Sequence, residues 1–301
     1  MQQVSIQNGS VGIAGNLYLP TDFDENKQYA AIACVHPGSS VKEQTAGIYA
    51  ERLAQQGFVA LAFDASGQGE SGGEPRGAEV PAARVEDIRC AVDFLTTPSF
   101  VDHERIGVLG ICAGGGYAVN AAMTERRIRA VGTVVPVNIG RARREGPVDQ
   151  LLDEVAAART REARGDDPVI TNWLPDSPEA AVEAGITDVD VLEAVDYYRT
   201  PRGRHERSDN RLKFTSTAPM LAFDAFHLAE QLLTQPLQVI VGNRIGGFGS
   251  YRDGHELFGK ARGAKDLVEI DGASHYDLYD RPEYVGQAVE TLKVFYARHL
   301  T

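Results

Sequence analysis

A glycine-flanked cysteine between a buried strand and a helix constrains the fold of this chain more than any other feature. Cys112 lies in the run Gly110-Ile-Cys-Ala-Gly114, directly after the apolar residues 106–109. This is the G-x-S-x-G pattern of a sharp strand-to-helix turn, with sulfur in place of the serine oxygen. Glycine at both flanking positions lets backbone segments approach where a side chain would not fit. The pattern therefore predicts an exposed thiol that acts as a nucleophile.

The start of a helix is also a position where a thiol can be activated. Unpaired N–H groups and the positive end of the helix dipole favour thiolate over thiol, so we expect a lowered pKa for Cys112. The backbone N–H of Ala113, the residue after the nucleophile, is the donor that such a turn offers to an oxyanion.

Two other interpretations of this turn compete with the nucleophile. A glycine-rich turn can bind a dinucleotide or a phosphate, but these glycines do not form G-x-G-x-x-G and no Lys-Ser/Thr pair follows them. Cysteine is also among the residue types that are most often simply buried. The flanking glycines favour the nucleophile over both alternatives.

Composition excludes several classes of partner. The 301 residues carry a formal net charge of −12, whereas nucleic-acid binding requires a basic face. The three cysteines have neither disulfide nor zinc-ligand spacing, so we expect no metal or cofactor. The first residues lack the basic and apolar regions of a signal peptide, and no apolar run reaches the roughly 18 residues of a membrane span. We expect a cytoplasmic protein with no membrane partner, and a homodimer is compatible with the sequence.

The pattern of apolar residues predicts a doubly wound α/β fold. Residues 4–20 alternate around Asn8-Gly9, as in a hairpin, and the helical stretch 82–96 is one of several that separate buried strands. Continuous apolar runs, typical of parallel strands buried on both faces, cover residues 30–36, 59–64, 106–109, 130–135, 237–241 and 267–270. Ligands of such sheets bind beyond the carboxyl ends of the strands. Cys112, His36, Asp64 and His275 all follow predicted strand ends.

Residues 141–234 interrupt this alternation of strands and helices. They are predicted to form a helical lid over a core made of residues 1–140 and 235–301. Two stretches, 151–163 and 188–198, are helical in pattern. Aromatic side chains of this segment, among them Trp173, Tyr198 and Phe226, would either wall an apolar substrate pocket or form the lid's own core. Both interpretations stay open.

The predicted lid also carries two arginine-rich runs. They comprise Arg141, Arg143 and Arg144, and then Arg199, Arg202, Arg204, Arg207 and Arg211. Such runs are usually a solvated face. The alternative is a docking site for a carboxylate or a phosphopantetheine phosphate, because arginine offers a bidentate fork to such groups.

A thiol nucleophile needs a base, and His275 is the best candidate. It follows the last buried strand in Asp271-Gly-Ala-Ser-His275, which gives the chain order of nucleophile and then histidine. His36 also ends a strand, but in His36-Pro-Gly-Ser39 it begins a loop in which Gly38 or Ser39 would donate a second N–H to the oxyanion. Ser39 is also expected to contact substrate. The other histidines are expected to be structural or solvated.

The third member of the catalytic group stays ambiguous. No carboxylate occurs in residues 241–250, where an acid normally follows the strand before the histidine. Asp253 is the first candidate, although its position also fits a helix cap. Asp224 is a rival, and Asn243 could orient the imidazole as an amide. A cysteine depends less on the acid than a serine does, because a thiol ionises more easily.

Together these motifs resemble the α/β-hydrolase superfamily, and within it the cysteine-nucleophile branch around dienelactone hydrolase. The resemblance spans nearly the whole chain and also extends to hydrolases similar to polyketide transferases. It rests on His36-Pro-Gly with Val41-Lys-Glu-Gln44, on Asp64-Ala-Ser-Gly-Gln-Gly-Glu-Ser71, on the turn at 110–115, and on Gly272-Ala-Ser-His275 with Tyr276-Asp-Leu-Tyr279.

The resemblance implies an α/β-hydrolase fold and assigns roles to four residues. It implies Cys112 as nucleophile, His275 as general base, and Ala113 with Gly38 as oxyanion donors. The chain departs from the family pattern where the acid near Gly246 is absent.

The sequence therefore predicts a hydrolase for a small-molecule acyl substrate, acting through an acyl-cysteine intermediate. Activated acyl groups in lactones, thioesters or activated esters suit it, because a thiolate leaves the tetrahedral intermediate more readily than an ordinary alkoxide does. One alternative is an acyltransferase that moves a polyketide-type acyl group to an alcohol or amine. Another is a non-catalytic small-molecule binding protein that kept the fold.

Overall fold

The computed structural model describes all 301 residues and is built around one eight-stranded sheet. Strand order is β1-β2-β4-β3-β5-β6-β9-β10, and every pair is parallel except β1 with β2 and β2 with β4. The strands are β1 (Gln2–Asn8), β2 (Val11–Tyr18), β3 (Tyr29–Val35), β4 (Val59–Phe63), β5 (Val101–Ile111), β6 (Ile128–Val134), β9 (Leu237–Gly242) and β10 (Lys265–Ile270). The predicted mostly parallel sheet with its amino-terminal hairpin is confirmed.

Helices cover both faces of the sheet, as the continuous apolar strands require. On one face lie α2 (Pro81–Leu95), α3 (Ala113–Ala122) and α10 (Ser250–Lys260), which bury Ile88, Tyr117 and Leu257 in one apolar cluster. On the other lie α1 (Thr45–Gln55) and α12 (Pro282–His299), which bury Tyr49 and Leu292 in a second cluster. The two clusters sandwich the fully buried β4.

The chain between β6 and β9 makes a long excursion, and we call residues 141–234 the insertion. Its elements, with the helix that leads into it, are α4 (Ile139–Arg144), α5 (Val148–Ala163), α6 (Pro178–Glu183), α7 (Val189–Arg199), α8 (Thr217–Ala222) and α9 (Ala229–Leu232). A small antiparallel ribbon of β7 (Ile170–Asn172) and β8 (Arg211–Lys213) joins them. The sequence did not predict this ribbon, because three-residue strands are too short to show an alternating pattern.

The carboxyl ends of the parallel strands gather the predicted site residues at one edge of the sheet. His36 follows β3, Asp64 follows β4 and Cys112 follows β5. His275 follows β10, just before the short helix α11 (Asp277–Asp280). None of the helices combines the length and the apolar character needed to cross a membrane.

Candidate active site

The turn between β5 and α3 has the strained geometry that its glycines predict. Cys112 has a φ of 55°, in the left-handed region that side chains rarely adopt. A Cβ on Gly110 would collide with the carbonyl oxygen of Gly114, and one on Gly114 would collide with the carbonyl oxygen of Val35. Both glycines are therefore required by close backbone packing, and the turn presents the Cys112 side chain at the sheet edge.

Cys112 is half-buried and lies on the wall of a cavity of about 270 Å³. The wall is mostly apolar, and the insertion contributes Trp173, Leu174 and Tyr198 to it. Ser39, which was predicted to contact substrate, also lies on the wall. Its Oγ accepts a hydrogen bond of 2.9 Å from Asn210, and its carbonyl oxygen accepts one of 2.8 Å from Ser208.

Phe226, the remaining predicted substrate contact, is not part of this wall. Its side chain is only 1 % exposed and packs into the apolar cluster on the α3 face of the sheet. Its backbone N–H donates to Asp224, which begins a tight turn there. Neither of the two interpretations left open for the aromatic residues describes Phe226, because it packs against the sheet and not within a core of the insertion. Trp173 and Tyr198 line the cavity, and Tyr198 is also part of the apolar cluster on the other face of the sheet.

The two predicted oxyanion donors lie next to each other beside the sulfur. Gly38 and Ala113 both line the cavity, and a Cβ built on Gly38 would come within 3.9 Å of the Ala113 Cβ and 3.5 Å of Trp173. The Ala113 N–H lies close enough to the Cys112 sulfur to lower the pKa of the thiol. His36 serves the backbone instead: its Nε2 accepts from the Ala65 N–H at 3.0 Å, and burial holds its pKa well below the usual value.

A tyrosine hydroxyl lies between the sulfur and the predicted base. The Tyr279 hydroxyl lies close enough to Cys112 to lower the pKa of the thiol, and its oxygen is 3.3 Å from Nε2 of His275. No direct hydrogen bond joins Cys112 and His275. Tyr279 follows His275 by four residues across α11, so the two side chains project together into the site.

The other ring nitrogen of His275 has a hydroxyl partner. Its Nδ1 is 3.0 Å from Oγ of Ser250, the first residue of α10. Ser250 ends the loop after β9, where an acid was expected and none was found. The sequence signal for Ser250 was its position after that strand, and the signal for Tyr279 was its i+4 spacing from the histidine, but neither residue was predicted to have a role.

All three residues considered for the third position are engaged elsewhere, and this corrects the choice of Asp253. Asp253 accepts hydrogen bonds from the Asn138 backbone N–H at 2.8 Å and from the Arg141 guanidinium at 2.6 and 2.8 Å. The arginine neutralises the fully buried carboxylate there. Asp224 accepts from the Asn138 side chain, and Asn243 bridges residues of the loop after β10.

The electrostatics of the cysteine differ from the prediction. Burial raises the pKa of Cys112 to about 11, and the hydrogen bonds from Tyr279 and Ala113 only partly oppose this effect. The expected lowering at the helix start is therefore wrong for this site, because the apolar cavity penalises the thiolate more than the N–H groups stabilise it. The Cys112 side chain is therefore a thiol at rest.

His275, the predicted base, is equally uncharged. Burial lowers the pKa of His275 to about 3, with no carboxylate close enough to hold a proton on the ring. The Phe248 and Tyr276 rings pack against the imidazole with centroids 5.5 and 5.1 Å away. A neutral imidazole with a free lone pair is the form that can accept a proton.

Most arginines of the two runs bind the protein itself. Arg144 donates to carbonyl oxygens of Leu221 and Phe223, and Arg202 binds Asp196 and Asp280. Arg207 pairs with Glu70. Arg143 is different, because it lines the cavity and its guanidinium stacks over Trp173 with 4.8 Å to the ring centroid.

A group of carboxylates near the site already has a cation. Glu43, Asp64 and Glu70 lie close enough together to suggest a metal site, but the buried Nζ of Lys42 lies among them, 2.6, 3.0 and 2.5 Å from their oxygens. The ammonium occupies the position that an ion would take. This cluster ties the loop after β3 to the turn after β4.

The sheet and the turn at Cys112 are those of an α/β hydrolase, and solved α/β hydrolases share the fold. The chain belongs to the PET hydrolase-like family, whose model matches residues 1–159. YcjY of Escherichia coli K-12 is 41 % identical over 302 residues, which cover 97 % of this chain and 96 % of that protein. PA2218 of Pseudomonas aeruginosa is 33 % identical over 96 % of this chain and 78 % of that protein. Its crystal structure has a TM-score of 0.90 over 99 % of this chain and 93 % of that chain, with 31 % identity.

More distant relatives have names that describe an activity. A thiohydrolase of Eupenicillium brefeldianum is 29 % identical over 69 % of this chain and 68 % of that protein. Polyketide transferase claH of Penicillium crustosum is 32 % identical over 46 % of each. A dienelactone hydrolase from Anabaena variabilis shares the fold, with a TM-score of 0.57 over 100 % of this chain and 99 % of that chain and 16 % identity. The α/β-hydrolase resemblance is confirmed, and the chain is of hydrolase type.

Proposed function

We propose that this protein hydrolyses an activated acyl substrate, such as a thioester, a lactone or an activated ester, through an acyl-cysteine intermediate on Cys112. The observation that carries the proposal is the arrangement of four side chains: Cys112 and Tyr279 line a mostly apolar cavity, His275 lies behind Tyr279, and Ser250 lies behind His275. The thiohydrolase names among the relatives support the same class of substrate.

Because both partners are neutral at rest, the proton must move as the nucleophile attacks. With the ring proton on Nδ1, the lone pair of His275 Nε2 faces the Tyr279 hydroxyl. As the Cys112 sulfur bonds to the acyl carbon, its proton passes to the tyrosine oxygen and the tyrosine proton passes to Nε2. The imidazolium so formed donates its Nδ1–H to Ser250, which stabilises the charge.

The tetrahedral intermediate then collapses to the acyl-cysteine. Negative charge on its oxygen is stabilised by the N–H groups of Ala113 and Gly38, and the proton on Nε2 returns to the leaving oxygen or sulfur as that bond breaks. A water molecule that gives its proton to His275 attacks the thioester, and the acid and the free thiol are released. Substrates whose leaving group is no better than an alkoxide revert from the first intermediate.

Transfer of the acyl group to an alcohol or amine is the second candidate. The aromatic wall of Trp173, Tyr198 and Tyr276 favours it, because a site that excludes water lets another acceptor compete for the acyl-cysteine. Product analysis with a simple thioester in the presence and absence of an alcohol separates the two functions. Ester formation that dominates at modest alcohol concentration would assign the chain as a transferase.

The covalent intermediate is the decisive test. An N-acetylcysteamine thioester or an aryl ester should add one acyl group, which peptide mass spectrometry should place on Cys112 and not on Cys34 or Cys90. Cys112→Ala should abolish the adduct and the turnover, while Cys90→Ala is the matched control and should retain both. An unmodified Cys112 together with tight, unreactive binding of the ester would support the binding-protein alternative instead.

A further inference from the structure

The cavity contains one cation that the proposed chemistry does not use. Arg143 projects from α4 onto the same wall as Cys112, among the apolar residues Ile139 and Ala142. The Cζ atom of its guanidinium lies over the Trp173 ring, 4.8 Å from the ring centroid. A cation over an aromatic face is attracted to the ring, and the guanidinium N–H groups remain able to donate to a ligand.

The neighbouring charges do not neutralise this guanidinium. Arg143 forms no ion pair, whereas Arg141, two residues earlier, binds both Asp253 and Glu145. Glu145 also lines the cavity, but it is bound by Arg141 and Arg252. The cavity therefore carries a positive charge with no counter-ion.

The nearest buried carboxylate does not satisfy Arg143 either. Glu79 attracts it electrostatically, yet the two Glu79 oxygens accept hydrogen bonds from Tyr117 at 2.7 Å and from Gln68 at 2.9 Å, and Arg84 lies 3.6 Å away. Burial lowers the pKa of Arg143, which records the cost of holding this charge away from water. An anion brought in by a ligand would offset that cost.

We propose that Arg143 binds a carboxylate at the far end of the acyl group, so that the preferred substrates are carboxyacyl compounds such as half-thioesters of short dicarboxylic acids. This inference rests on the proposed function and names its substrate class. The planar guanidinium matches a carboxylate in two parallel hydrogen bonds. Trp173 and the apolar wall would pack the methylene chain between the carboxylate and the thioester.

The size of the cavity favours the acyl chain over the leaving group as the source of the anion. Cys112 and Arg143 share one cavity of about 270 Å³, which has room for a short acyl chain. A phosphopantetheine arm places its phosphate many bonds away from its sulfur, whereas a short acyl chain keeps its terminal carboxylate near the thioester. A phosphate on the leaving group would therefore lie outside, beyond the reach of Arg143.

The test compares two thioesters that differ only at the chain end. Glutaryl and 4-carbamoylbutanoyl N-acetylcysteamine have the same length and leaving group, but only the first carries a charge. We expect wild-type kcat/KM to favour the glutaryl compound by about 10-fold to 100-fold, the worth of a charged hydrogen-bonded pair. Arg143→Gln should bring the ratio close to one, and Arg143→Lys should keep part of it. Arg159→Gln, an exposed arginine of α5, is the charge-matched control and should leave the ratio unchanged.

A second measurement does not depend on turnover. Trp173 is the only tryptophan in the chain, so its fluorescence reports directly on the site. Glutarate should change the emission in a saturable way, glutaramide should not, and Arg143→Gln should remove the response. Saturable glutarate binding without turnover of either thioester would overturn the proposed function and support the anion site.

Three outcomes would overturn the anion site. The first is an equal loss on both thioesters in Arg143→Gln, which would make the side chain merely structural. The second is turnover of both thioesters with no preference and no glutarate response in the wild type, which would leave the proposed function standing. The third is that the wild type prefers acyl-phosphopantetheine over acyl-pantetheine, and that this is the only preference that Arg143→Gln removes. That result would assign the anion to the leaving group.

Discussion

Nδ1 of His275 lies 3.0 Å from Oγ of Ser250, so a hydroxyl occupies the place where hydrolases of this fold usually have a carboxylate. A neutral partner can orient the ring and accept its N–H, but it contributes less to an imidazolium than a negative charge does. The low pKa of His275, about 3, follows from burial without such a charge.

Replacing this hydroxyl should weaken the base without unfolding the protein. Ser250→Ala removes one hydrogen bond to the ring, and we expect kcat/KM to fall about 10-fold, the upper range for one such bond. Ser250→Asp should raise the pKa of His275 by placing a carboxylate beside Nδ1. The pH profile of kcat/KM checks both, and a Ser250→Ala variant with unchanged rate would show that the ring is held by packing alone.

The pH dependence of the wild type follows from the direction of the two shifts. His275 must be neutral to act as a base, and burial lowers its pKa to about 3, so activity should persist at pH 5, where an ordinary imidazole is mostly protonated. An acidic limb near pH 6.5 would contradict this expectation.

The rate of Cys112 alkylation should depend on pH in the alkaline range. Because the pKa of Cys112 is raised to about 11, its reaction with iodoacetamide should accelerate continuously from pH 7 to pH 10. Cys112→Ala provides the background rate from the other two cysteines. A rate that is already maximal at neutral pH would indicate a preformed thiolate.

The Tyr279 hydroxyl should affect proton transfer and not the packing of the cavity wall. Tyr279→Phe keeps the ring packing but removes the group between the sulfur and His275, so we expect kcat to fall by about 100-fold with little change in KM. Tyr198→Phe, on the same wall, is the comparison variant. Equal small effects of the two changes would place Tyr279 among the packing residues.

Serine should not replace the sulfur. In Cys112→Ser the base must remove a proton from a far weaker acid without the help of a carboxylate, and we expect turnover of a thioester to drop at least about 100-fold. Near-normal turnover by Cys112→Ser would mean that the site activates hydroxyls. The circular dichroism spectrum of the variant should match that of the wild type.

Asp190 should make stability depend on pH. This carboxylate is 1 % exposed, accepts a hydrogen bond from the Phe248 N–H at 2.9 Å, and burial raises its pKa to about 6. The folded state therefore binds more protons than the unfolded state between about pH 4 and 6, and stability is lost as pH rises through that window.

The amide variant isolates this effect. Asp190→Asn should raise the free energy of unfolding at pH 7.5 by up to about 3 kcal/mol, and by little at pH 4, as measured by urea titration. Asp153→Asn, which changes an exposed carboxylate of α5, is the control and should leave both unfolding curves unchanged. Equal urea unfolding curves for Asp190→Asn and the wild type at pH 7.5 would show that the buried carboxylate does not lower the free energy of unfolding.

The sequence predicted the sheet well because its signals are local. Apolar runs such as residues 59–64 can be buried only within a parallel sheet, and the close backbone approach at Gly110 and Gly114 leaves a pattern that is readable without coordinates. The positions of Cys112 and His275 at strand ends followed from the same rules.

The partners within the site could not be read in this way, because they depend on distances between remote segments. Asp253 was chosen as the next carboxylate along the chain, but Arg141, more than a hundred residues earlier, is the group that binds it. The prediction for the thiol pKa was wrong for a related reason. A helix start is visible in the sequence, whereas the burial that raises the pKa of Cys112 depends on residues from several remote segments.

Ser39 connects the core of the enzyme to the insertion through its hydrogen bonds to Asn210 and Ser208. Ser39 also belongs to the predicted oxyanion loop, so we expect an acyl chain that displaces the insertion to displace a predicted oxyanion donor as well. Substrates that fit poorly should then bind with nearly normal affinity but turn over slowly. Selectivity by chain length would therefore be seen in kcat more than in KM.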